Sequence, residues 1–164
     1  MTADEALYDD LAGVVDLFDG LSTRELERAL EELAFKQGRD ADADALAAAV
    51  DGAVSDYYLA TATHEDGEDD VELVVPGPVA FPSLPENAED LPHILDVDDR
   101  TVDESAVTEA TLSRLREDAD AAVETGDEGR LRHLLDVTYD VELWASADVD
   151  VSSVRSRLES ELDE

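Results

Sequence analysis

The chain has 164 residues, of which 45 are acidic and 11 basic, for a formal net charge of −34 at pH 7. With no cysteine, disulfide staples, zinc–thiolate sites and thiol nucleophiles are excluded. No stretch approaches the roughly 18 apolar residues of a membrane-spanning helix, and Met1-Thr2-Ala3-Asp4-Glu5 has neither the basic nor the apolar region of an export signal, so a soluble cytoplasmic protein is expected.

Leu7, Leu11, Val14, Val15 and Phe18 recur at the spacing of one helical face, which predicts a first helix stopped by Gly20. Ser22 with Glu25, and Leu21 with Leu26, have the spacing of a capping box and its hydrophobic staple. A second helix therefore begins at Ser22, buries Leu26, Ala29, Leu30, Leu33 and Ala34, and ends before Gly38. Asp40 or Asp42 caps a third helix, with Leu46, Ala49, Val50, Ala53, Val54 and Tyr57 inward. The hydrophobic period then changes from helical to alternating. Residues 58–63 and 71–75 read as two strands of a hairpin, joined by a long polar loop over 64–70 with an Asp-Gly turn signal.

All five prolines lie between 76 and 92, which makes this stretch the best candidate boundary. Val79, Phe81, Leu84, Leu91, Ile94 and Leu95 are too apolar for a solvated linker, so the segment is expected to run extended as a strap across a hydrophobic surface. Thr101 with Glu104 offers a second capping box, for a helix burying Val107, Thr111, Leu112, Leu115, Ala119, Ala122 and Val123 and ending at Gly126. Asp127 caps another, with Leu131, Leu134 and Leu135 inward. Residues 139–144 alternate polar and apolar between helices and read as extended or irregular. Asp150 or Ser152 opens a terminal helix with Val151, Val154, Leu158 and Leu162 on one face. The expected fold class is mainly α (α+β). A three-helix unit with a β-hairpin spans 1–80, a Pro-rich strap spans 81–100, and C-terminal helices packed on it span 101–164, unless all three form one continuous domain.

Leu, Ile, Val and Phe number 42 of the 164 residues, above the roughly one-fifth below which high charge argues for disorder. A core is therefore expected. The charge is even, −17 in residues 1–82 and −17 in 83–164, which describes a whole surface rather than a patch. Such a surface repels itself in dilute buffer, whereas at molar salt the screening length falls to about 3 Å and most of the repulsion disappears. Ten Arg stand against the single Lys36, and 23 Ala and 17 Val against one Ile. An acidic surface with scarce lysine and small apolar residues resembles the cytosolic proteins of salt-in haloarchaea, which hold bulk K+ and hydration water at their surfaces.

Little in the sequence offers chemistry. His64, His93 and His133 are scattered over hairpin loop, strap and helix, and no serine lies in a nucleophile motif. Phosphate-cradling glycine loops are missing. Asp40-Ala41-Asp42-Ala43-Asp44 departs from a calcium loop at Ala45 and Asp51, where glycine and glutamate are required, and reads as a helix cap. His64, Glu65, Asp66, Asp69 and Asp70 read as a hydrated turn. No enzyme, cofactor or metal is expected, and no membrane partner, for want of a basic amphipathic helix.

The order helix, helix, helix, hairpin over residues 4–80 resembles a winged helix, with Leu46–Tyr57 in the recognition-helix position. That resemblance implies a DNA reader, but phosphate affinity comes from Lys and Arg, and none lies between Asp40 and Tyr57. Arg24, Arg28, Lys36 and Arg39 are the DNA-contact candidates of the alternative, a winged-helix transcriptional regulator. The stretches Leu26–Gly38, Gly77–Pro85 with Leu91–Asp96, and Leu134–Trp144 resemble a haloarchaeal family of unknown function. That likeness implies a cytosolic protein and brings no activity with it. The leading expectation is a non-enzymatic adaptor or regulator acting through a protein partner, with Phe81, Leu84, Tyr139 and Trp144 as its partner-binding residues.

Overall fold

The computed structural model describes residues 3–38, 42–66, 69–85, 88–95, 102–145 and 149–163. They fall into two compact units, Met1–Asp103 and Glu104–Glu164. Arg39, Asp40 and Thr101 lie outside the described residues, as do the side chains of positions 64–70. The protein is mainly helical with one small antiparallel sheet, an α+β fold.

Unit 1 contains α1 (Ala3–Leu17), β1 (Leu21–Ser22), α2 (Thr23–Lys36), α3 (Ala43–Ser55), β2 (Leu59–Asp66), β3 (Asp69–Pro76) and the short α4 (Leu91–Ile94). After α1 the chain reverses through Asp19 and Gly20, both at positive φ (59° and 123°). The capping box forms as its spacing predicts. Glu25 N–H donates to Ser22 Oγ at 3.1 Å, and Ser22 N–H donates to Glu25 Oε1 at 2.9 Å, while the staple residues Leu21 and Leu26 are fully buried. At α3 the cap is Asp42, whose Oδ1 accepts from the N–H groups of Asp44 (3.0 Å) and Ala45 (3.3 Å).

The sheet has the order β1-β3-β2. Strand β1, two residues long, is too short to show any alternation and was not expected; it pairs Leu21 with Val74 and Ser22 with Leu73. Strands β2 and β3 pair from Leu59–Pro76 out to Asp66–Asp69. The ladder thus runs through most of the segment expected to be a long loop. Backbone pairing needs no apolar side chains, so acidic residues with no hydrophobic alternation can still continue the ladder. Leu11, Val14 and Val15 of α1, Leu26, Ala29 and Leu33 of α2, Val50 and Ala53 of α3, and Leu59 and Val74 of the sheet form one core, joined by Ala88 and Leu91 from the Pro-rich segment. Each fully buried Leu or Val contributes about 1.5–3 kcal/mol.

Unit 2 contains α5 (Glu104–Thr125), α6 (Glu128–Trp144) and α7 (Ser152–Leu162). Gly126, at φ 70°, separates α5 from α6, and Asp127 Oδ1 caps α6 by accepting from Arg130 N–H at 3.1 Å. Val107, Thr111, Leu115, Ala119 and Ala122 of α5 are buried, as are Leu131, Leu134, Val137, Thr138 and Val141 of α6 and Leu158 of α7. Residues 139–144, expected to be extended or irregular, are the last turns of α6. The stripe Leu134–Val137–Thr138–Val141 has helical spacing and a core to fill, so the polar–apolar alternation has no strand partner to serve. Arg155 pairs with Glu142 at 2.5 Å, and Arg157 pairs with Asp120. Among the described residues no helix is long and apolar enough to cross a membrane.

Candidate functional site

The Pro-rich strap is fixed to unit 1 at several points. Gly77 N–H donates to Tyr58 C=O at 2.8 Å, and Val79 N–H donates to Tyr57 C=O at 3.1 Å. Tyr57 itself holds φ 68°, an unusual conformation for a bulky residue, with its side chain fully buried. Further along, the buried Asp9 of α1 takes the strap twice: its Oδ1 accepts from Phe81 N–H at 3.0 Å and its backbone C=O from Ser83 N–H at 3.0 Å. Strap and helix touch backbone to backbone here, because a Cβ on Gly13 would overlap the Ser83 carbonyl. Beyond, Ala88 and Leu91 are fully buried, and Asp90 pairs with Lys36 at 3.7 Å. Between these anchors Phe81 is 80% exposed and Leu84 46% exposed. Beside them, burial pushes the Asp10 carboxyl above its ordinary range, the Ser83 hydrogen bond lowering it and the Asp9 charge raising it further.

In unit 2, Tyr139 is 49% exposed and Trp144 half-buried. The Arg155 guanidinium lies 3.9 Å from the Tyr139 ring centroid. It is held there by Glu142 and by donation of Nε–H to Thr138 Oγ1 at 3.1 Å, so one ring face already has a cation upon it. Leu143, 88% exposed, escaped the sequence reading; its place four residues after Tyr139 would have shown it once 139–144 was taken as helical. Asp140 on α6 is pushed up first by burial and then by Asp136, with His133 opposing.

Of the basic cluster, Arg24 and Arg28 are exposed one turn apart on α2. Lys36 turns instead to Asp90, and Arg39 lies outside the described residues. Phe35, 79% exposed, was also missed; it falls on the same helical face as the two arginines. On α3 four of the exposed positions, Asp44, Ala48, Asp51 and Ser55, share one face and bring carboxylates without a cation. His93 is exposed on the strap and His133 partly buried on α6. Among the described residues no three His, Asp or Glu side chains are placed to hold a metal ion.

A protein-family model, that of a family of unknown function (DUF7109), matches residues 9–163. No curated protein and no solved structure matches the chain.

Proposed function

The chain belongs to that family of unknown function, and since membership carries no activity, we propose from the geometry a non-enzymatic adaptor or regulator that docks a protein partner on the Phe81–Leu84 stretch of its strap. One observation carries this reading: a backbone tied down on both sides leaves a phenylalanine 80% exposed. Burying that ring against a partner returns about 1.5–3 kcal/mol, and a backbone already ordered adds little entropic cost to binding. Tyr139 and Trp144, in the other unit, are candidate contacts of the same kind.

Unit 1 reads as a winged-helix-type module. Support comes from its order of three helices followed by a hairpin, with β1 tying the α1–α2 junction to the hairpin. In that reading α3 is the recognition helix, and its exposed Asp44 and Asp51 favour a protein over the phosphates of DNA. Arg24 and Arg28 are the feature that favours the alternative, a DNA-binding regulator. The evenly spread charge of −34 supports a halophilic, cytoplasmic protein of salt-in haloarchaea, its surface dressed with K+ and water.

The test is affinity purification of the tagged chain from a salt-in host in about 2 M KCl, in parallel with Phe81→Ser, followed by mass spectrometry. Proteins recovered with the unchanged chain and lost with Phe81→Ser, at equal circular dichroism, are the expected result. Identical recovery from both chains overturns the strap reading. A duplex-DNA shift at the same salt, lost on Arg24→Ala with Arg28→Ala, would favour the alternative.

A further inference from the structure

On α2 the exposed positions are Arg24, Arg28, Glu31 and Phe35. They are spaced four, three and four residues apart, the spacing of a helix–helix seam. The helix's opposite face, Leu26, Ala29, Leu30, Leu33 and Ala34, is buried in its own unit. Along the exposed seam the character runs cation, cation, anion, aromatic. A uniformly anionic partner, protein or nucleic acid, would meet Glu31 beside the arginines, and a cationic one would meet Arg24 and Arg28. The seam supplies its own complement at every position, since run antiparallel about a two-fold axis passing between Ala29 and Leu30 it meets itself. Arg28 then faces Glu31 of the second copy, Arg24 faces Phe35, and the symmetry makes each contact twice.

We propose that the outward face of α2 is a homodimer interface, on which a second copy of this chain docks antiparallel through Arg28–Glu31 and Arg24–Phe35 pairs. The two phenylalanines leave water, and each receives a guanidinium over its ring. The −34 carried by each protomer opposes association in dilute buffer, so this dimer strengthens as KCl is added, where an interface held by ion pairs alone would weaken. The strap reading is independent of it, and Phe81→Ser leaves the dimer intact.

Sedimentation equilibrium in about 2 M KCl, with circular dichroism to verify the fold, tests the proposal. The unchanged chain dimerises, and Arg28→Glu, Glu31→Arg and Phe35→Ser each raise the dissociation constant by about tenfold or more. Carrying Arg28→Glu and Glu31→Arg in one chain restores the dimer, because both pairs reappear reversed. Mixing the two single variants yields a heterodimer that neither forms with itself. A monomer at every concentration overturns the proposal, as does a dimer indifferent to Arg28→Glu, or a double variant no better than the singles.

Discussion

Gly13 sits in the middle of α1, where glycine costs about 1 kcal/mol relative to alanine, yet here the larger residue is the worse one. Its missing side chain is where the strap crosses, and the atoms a methyl group would strike belong to the backbone of Ser83, which cannot rotate aside. Gly13→Ala is expected to lower stability by about 1–3 kcal/mol in urea unfolding at high salt, against the gain that helix propensity alone would give. Unchanged or increased stability would mean that the strap does not rest on α1. Nothing in the local sequence marks this glycine, since a glycine inside a helical pattern has no visible partner. Asp9 is similar: among so many carboxylates, it is singled out only by the amide of Phe81, 72 residues away.

Among the elements, α6 separates helical from alternating logic most sharply. In a strand, Tyr139, Val141 and Leu143 would share one face. In α6, Val141 is fully buried while Tyr139 and Leu143 are exposed. Val141→Ala should therefore cost about 2 kcal/mol or more, and Leu143→Ser should stay within about 0.5 kcal/mol. Equal costs in thermal or urea unfolding would contradict the helical arrangement. The second helix, by contrast, was legible to the residue, because a capping box and a staple are contacts between near neighbours that the sequence prints directly. Strand β1 was not legible: two residues have no period, and their pairing with Leu73 and Val74 depends on a hairpin some fifty positions away.

For the whole molecule the dominant quantity is its charge. Repulsion over a surface carrying −34 falls as salt shortens the screening length, so the thermal midpoint at neutral pH is expected to rise between about 0.1 M and 2 M KCl. A midpoint indifferent to KCl would contradict this account of the surface. At fixed high salt the same measurement reads Asp10 and Asp140. Both carboxyls are raised in the fold, so between the ordinary carboxylate range and their raised values the folded state holds more protons than the unfolded chain. Stability therefore falls as pH rises through that window, and Asp10→Asn with Asp140→Asn flattens the change. Asp150, lowered by its bonds to Ser152 but fully exposed, contributes in the opposite sense and only weakly.

The sequence alone determined the three long helices of unit 1, the caps of α2 and α6, the α+β class and the net charge of −34, because these follow from composition or from residues within a turn of one another. The tertiary structure decided which large side chains remain in water, Phe35, Phe81 and Leu143 among them, and where the strap is fastened. Apolar residues look alike in a sequence; whether one is covered depends on chain segments brought beside it from far away, and only the folded arrangement contains those distances.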